Sequence, residues 1–117
     1  MSEDKDCIFC KIVKGEIKSD IIADEENFIV FNDANPVAEG HCLIVPKKHY
    51  ATILDLPSSL GTELLSIAKK QGLRLIEAKL ADGFKLVNNN YKAAGQVVNH
   101  FHLHVIPHKE GKNVGHV

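Results

Sequence analysis

No stretch of this 117-residue chain approaches the ~20 consecutive apolar residues that a membrane-crossing helix requires. Neither sign of charge dominates: 14 Lys and Arg stand against 15 Asp and Glu, a net charge of −1. Without a broad basic field, the sequence predicts no nucleic-acid partner and no attraction to an anionic membrane. Cysteine is scarce. Three are present, and an odd count without a secretion signal argues against a disulfide framework. The opening residues Met1-Ser2-Glu3-Asp4-Lys5-Asp6 are polar and acidic, unlike a signal peptide. These absences predict a reducing, cytoplasmic location. Internal repeats, low-complexity tracts and linkers are also lacking, so a single domain over 1–117 is expected, with 1–6 flexible.

What is present is an ordinary soluble composition, 44% hydrophobic and 25% charged, with one conspicuous stretch. In His100-Phe101-His102-Leu103-His104-Val105-Ile106 the residues alternate strictly. In an extended strand, successive side chains point to opposite faces. His100, His102 and His104 therefore share one face, and Phe101, Leu103 and Val105 the core-facing other. A lone strand histidine is usually solvated or hydrogen-bonded; three in register mark a chemical site.

The remaining elements follow from local pattern. Cys7 to Val13 has helical apolar spacing, and Gly15 offers a stop. Ile21–Ala23 and Phe28–Phe31 read as strands joined by the polar turn Asp24-Glu25-Glu26-Asn27. Asn32 to Pro36 reads as a loop. His41 to Val45 reads as a strand with His41, Leu43 and Val45 on one face, ended by Pro46. Ser58 or Ser59 can cap a long helix reaching about Ala81. Glu63, Lys70, Arg74 and Glu77 line one side of it. Its apolar arc, widened by Leu65, Gly72, Ile76 and Leu80, covers nearly half the circumference, more than one packed face needs. A second subunit covering that flank, a homodimer, is the favoured explanation. Phe84–Val87 is a further strand, and Asn88 to Gln96 a polar loop leading into the histidines. Strands paired through turns with one long helix indicate an α+β fold on an antiparallel sheet of about five strands.

Cys7-x-x-Cys10 is half of a zinc site, with His49 and His100 as the completions the fold could supply. Spacing alone leaves that reading open beside two buried thiols packing a short helix. His102 and His104 could alternatively form a metal pair, although no third ligand is evident. Imidazole can also attack phosphorus and leave again, dividing one displacement into two easier ones. His104 and the amides of Asn89 and Gln96 could then serve as donors to phosphoryl oxygens, and Gly95 lets backbone approach an anion. Asp33 could accept hydrogen bonds from sugar hydroxyls, with an Asx turn as the ordinary alternative.

The histidine stretch has the pattern His-φ-His-φ-His-φ-φ, where φ is apolar. With Cys7-Ile8-Phe9-Cys10-Lys11-Ile12, Val45-Pro46-Lys47-Lys48-His49 and Gly95-Gln96, it resembles the histidine triad (HIT) superfamily of nucleotide hydrolases and transferases over nearly the whole chain. The likeness is greatest to the small Hint-type branch and bacterial HIT proteins. It implies a HIT-like fold, dimerising through helix and strand edges. It also implies a purine nucleoside phosphoramidase, hydrolysing an adenosine monophosphate–amine bond through a covalent nucleotidyl-His102 intermediate. His104 would contact phosphate or the bridging atom, and His100 completes the catalytic row. Asp33 corresponds to the ribose-binding acid, and Asn89, Gln96 and the Val97 backbone to phosphate contacts. Phe9, Ile12, Ile17, Phe31 and Leu43 correspond to the slot around the base. Structural zinc would be held by Cys7, Cys10, His49 and His100.

Two features depart from the family pattern. Val97 stands where Ser or Thr is frequent, removing a hydroxyl donor, and the tail after Ile106 has no Trp. Both bear on the leaving group. His108 and His116 are expected as solvated loop residues. Within the same chemistry, dinucleoside polyphosphates are alternative substrates; removal of adenylate from DNA ends is disfavoured by the neutral charge. A non-catalytic nucleotide-binding module and a metal-dependent hydrolase are the readings from other classes.

Overall fold

A computed structural model describes residues 5–111. Of the start expected to be flexible, 1–6, residues 1–4 lie outside the described residues, as does the end of the tail with His116. The order of elements is α1 (Ile8–Val13), β1 (Ile21–Asp24), β2 (Phe28–Asn32), β3 (Cys42–Pro46), α2 (Gly61–Glu77), β4 (Gly83–Val87) and β5 (Leu103–His108). The strands form one open sheet in the order β1-β2-β3-β5-β4, with every neighbouring pair antiparallel. This is the α+β architecture expected from the alternation.

The central strands are covered on both faces, which is why Phe28-Ile29-Val30-Phe31 and Cys42-Leu43-Ile44-Val45 read as unbroken apolar runs. One face sends Phe28, Val30, Cys42, Ile44 and Val105 against Ile67, Ala68 and Leu75 of α2. The other sends Ile29, Phe31, Leu43 and Val45 against Cys7, Phe9, Cys10 and Ile12 of the α1 segment. Each large side chain fully buried this way contributes about 1.5–3 kcal/mol. Because α1 is short, it covers only part of its face. The histidines occupy the remainder.

The long helix is shorter than its pattern predicted. Neither Ser58 nor Ser59 caps α2; a 3₁₀ turn over Ser58–Leu60 leads into it, without a side-chain cap. It stops at Glu77 because Lys79 turns left-handed (φ +60°), and the Lys79 and Leu80 amides donate back to Ile76 and Leu75 carbonyls. The charged flank is put to use rather than simply solvated. Glu63 accepts hydrogen bonds from the Asn27 backbone (2.9 Å) and side chain (2.8 Å), and Lys70 lies 3.6 Å from Glu25, tying the β1–β2 turn to the helix. Gly72 is where α2 meets β4: a Cβ there would run into the Phe84 ring.

The histidine stretch is also shifted. Strand β5 begins at Leu103, so His100 and His102 precede it, although the alternation of faces persists. The Phe101 amide bonds to the Tyr50 carbonyl (2.6 Å) instead of a ladder partner. At its other end β5 runs through Pro107 to His108, so His108 sits in a strand opposite Gly83 and not in a solvated loop. Proline is tolerated there because β3 pairs with β5 only over Leu103–Val105, leaving Pro107 with a single neighbouring strand.

Candidate active site and metal centre

Cys7, Cys10, His49 and His100 converge in the interior, all four buried. The His100 Nδ1 atom lies 3.2 Å from Cys7 Sγ, 3.6 Å from Cys10 Sγ and 3.1 Å from His49 Nδ1; Cys10 Sγ lies 3.3 Å from His49 Nδ1. Zinc–sulfur and zinc–nitrogen bonds of about 2.3 and 2.0 Å put tetrahedral ligand atoms at roughly such separations. The ring orientation fits too. His100 Nε2 donates to the Pro46 carbonyl (2.9 Å), which leaves the Nδ1 lone pair facing the thiols, an arrangement seen in metal-ligating histidines. Burial above all pushes the Cys7 thiol up to about 11, so it becomes a thiolate readily only when a cation compensates the charge. His100 is held down at about 4, chiefly by burial. The residues present fit a closed, four-ligand zinc site.

The next two histidines of the row face an open cavity of about 540 Å³. Its apolar wall is made by Phe9, Ile12, Ile17, Phe31 and Leu43, the residues assigned to a base slot. Its polar end carries Asp33, Asn89, His102 and His104, with Gly95 and Val97 at the rim. His102 is buried. Its Nδ1 lies 2.8 Å from the His100 carbonyl, which can only accept, so Nδ1 carries the hydrogen and Nε2 keeps its lone pair. The Phe9 ring edge, 5.1 Å away between centroids, confines the imidazole. The carbonyl of His102 is in turn held by Asn88 Nδ2 (3.0 Å). His104 follows with its ring centroid 5.0 Å from that of His102, closer than the ~7 Å strand repeat because the rings lean together. Its basicity is lowered to about 4, first by burial and then by the neighbouring histidines His102 and His41.

Not every predicted contact is arranged as expected. Gln96 lies outside this cavity, and its amide is committed elsewhere. Its Oε1 accepts from the Tyr91 N–H (2.7 Å), and its Nε2 donates to the carbonyls of Ala51 (2.6 Å) and Val98 (3.1 Å). Gln96 therefore braces the loop, with both its amide oxygen and its amide nitrogen engaged within the protein. The bracing has a task, because Tyr91 is held at φ +72°, ψ 155°, a region costly for a residue with a Cβ. Asn88 and Asn90 also staple the loop, Asn90 through Asn88 Oδ1 (2.7 Å) and the Ile53 N–H (2.8 Å). Asn89, between them, lines the cavity.

Sequence reasoning gave His41 a strand face but no role. It is nearly inaccessible, at 3% exposure, and lies between Asp33 and His104. Its alternation with Leu43 and Val45 was the available signal. No helix among the described residues is long and apolar enough to cross a membrane.

The buried Cys₂His₂ cluster and the imidazole with its lone pair toward an apolar slot agree with the resemblance carried by the histidine pattern. The HIT domain family matches residues 14–111, and the chain belongs to that family. It is 43% identical over 107 residues to an uncharacterized HIT-like protein of Methanocaldococcus jannaschii, covering 90% of this chain and 81% of that one. It is 42% identical over 110 residues to an adenosine 5′-monophosphoramidase of Saccharomyces cerevisiae, covering 94% and 67%. An adenylylsulfatase of Arabidopsis thaliana is 39% identical over 105 residues; the match covers 90% of this chain and about half, 53%, of that protein. Among solved structures, a Zn-bound histidine triad family protein from Mycobacterium smegmatis superposes with a TM-score of 0.89 at 33% identity, covering 94% and 80%.

Proposed function

We propose that this protein is a hydrolase acting on purine nucleoside phosphoramidates through a nucleotide covalently attached to His102. The observation that carries this reading is the hydrogen bond from His102 Nδ1 to the His100 carbonyl, which presents Nε2 as a nucleophile. An apolar slot for a base and a carboxylate, Asp33, within reach of a ribose complete the outline. His102 Nε2 attacks the α-phosphorus, the P–N bond to the amine breaks, and the amine departs with a proton taken from solvent. Water then attacks the same phosphorus, the phosphorus–imidazole bond breaks, and nucleoside monophosphate leaves. Each half-reaction displaces a good leaving group. The similarity to a monophosphoramidase and to an adenylylsulfatase supports hydrolysis at an adenylate, with the leaving group as the variable part.

Zinc, bound by Cys7, Cys10, His49 and His100, would support the fold and not the chemistry, since four protein ligands leave no open position. The chain is further proposed to act as a homodimer. Leu65 and Ile76 of α2 and Phe84 and Leu86 of β4 expose apolar surface, and β4 is an edge strand. The test is turnover of an adenosine phosphoramidate by wild type and His102→Ala, with a mass spectrum of quenched wild-type enzyme. Turnover confined to the wild type, with an adduct of one nucleoside monophosphate, is expected. Wild-type turnover by the variant overturns the covalent route. Absence of turnover and adduct, with dinucleoside polyphosphates as well, would favour a binding module.

A further inference from the structure

The segment between β2 and β3 winds around His41. The Asp33 N–H donates to the His41 carbonyl (3.0 Å), the His41 N–H donates to the Ala38 carbonyl (3.0 Å), and the Val37 N–H donates to His41 Nδ1 (3.1 Å). A backbone amide is an obligatory donor, so His41 Nδ1 must accept, and its ring hydrogen resides on Nε2. That Nε2–H points to His104 Nδ1 at 3.0 Å, with Asp33 Oδ2 at 3.4 Å as a second, longer acceptor. Two N–H groups cannot face each other at 3.0 Å. His104 Nδ1 is therefore an acceptor, and its hydrogen is on Nε2.

We propose that His41 is a positioning residue: anchored by the Val37 amide, it locks His104 as the neutral Nε2–H tautomer, a fixed hydrogen-bond donor to the substrate. The suppressed basicity of His104 agrees with a ring that stays uncharged. A neutral imidazole with a single N–H donates that hydrogen bond but does not surrender the proton. His104 consequently stabilises charge on a phosphoryl or bridging oxygen or nitrogen, and the departing group takes its proton from solvent. The substrate half of this inference rests on the proposed nucleotide chemistry; the tautomer does not.

The same atoms allow a metal in principle, since Asp33, His41 and His104 offer ligand atoms within 4.8 Å of one another. A cation taking the Nε2 lone pair of His41 would force the ring hydrogen onto Nδ1, against the Val37 N–H. The loop thus favours the hydrogen-bond chain over a metal.

The test is two-bond ¹⁵N–¹H correlation spectroscopy of histidine-labelled protein, as purified, for wild type, His41→Leu and His41→Gln. The Nε2–H tautomer of His104 is expected in the wild type and a mixture in His41→Leu. His41→Gln, whose side-chain amide can replace the Nε2–H donor, should recover much of the wild-type pattern. Loss of one buried hydrogen bond predicts roughly a tenfold lower kcat for His41→Leu with KM little changed, partly restored in His41→Gln. An Nδ1–H tautomer in the wild type, or an unchanged His104 signal in a folded His41→Leu, overturns the proposal. So does a second equivalent of zinc bound per chain and lost in His41→Leu. A locked tautomer in an enzyme without turnover would instead count against the proposed activity.

Discussion

His100 and His102 are two residues apart and both buried, yet their rings are hydrogen-bonded through opposite nitrogens. A backbone carbonyl takes the Nε2–H of His100, so Nδ1 looks at two thiols and a histidine. Another carbonyl takes the Nδ1–H of His102, so Nε2 keeps its lone pair. One environment is closed and contains sulfur, and the other opens on a cavity. In both, the nitrogen that keeps its lone pair is set by which ring nitrogen meets a carbonyl oxygen, not by residue type. His104 adds a third case, in which an imidazole partner decides.

The contrast can be broken most forcefully at His102. His102→Ala should lower turnover by roughly 10⁴-fold or more while nucleotide binding persists, read as kcat beside the affinity for adenosine monophosphate. Removing a ligand at the closed end should act on stability instead. Cys10→Ser is expected to lose zinc, seen by metal analysis, and to destabilise the fold by about 4 kcal/mol in chemical denaturation. Equal turnover per folded molecule in that variant would sharpen the division between the two ends; a loss as large as that of His102→Ala would erase it.

A smaller effect is expected at Asp33. Asp33→Ala should weaken nucleotide binding by about 2 kcal/mol, the worth of a hydrogen bond to a charged group, with kcat less affected. Unchanged affinity in a binding titration would remove its ribose role. The smallest effect concerns pH. His104 titrates near 4 in the folded chain against 6.5 ordinarily, so between those values the unfolded chain binds the extra proton. Its contribution to stability is complete above about pH 6.5 and declines as pH falls toward 4. Denaturation midpoints at pH 7 and pH 5 should therefore differ less in His104→Gln than in wild type.

Much was legible in the linear pattern because it depends on neighbours in sequence. The alternation at 100–106, the apolar runs of β2 and β3 and the cysteine spacing are local facts, and they placed the row, the core and the cysteine pair. Helix α2 was overextended because its apolar spacing continues past Glu77, whereas the left-handed turn at Lys79 serves the route to β4. The tasks of Gln96 and His41 were not legible. Each depends on partners far along the chain, Ala51 for Gln96 and His104 for His41.

The sequence by itself determined which residues could do chemistry and on which face of a strand they would stand, since side-chain direction in an extended chain is set residue by residue. Only the tertiary structure decided which nitrogen of each histidine carries the hydrogen. The β3–β5 register, with Leu43 opposite His104, brings His41 beside the third histidine, and the path after Pro46 carries His49 to the first. An imidazole chooses its tautomer from the groups it meets, and those groups are assembled by contacts between distant parts of the chain.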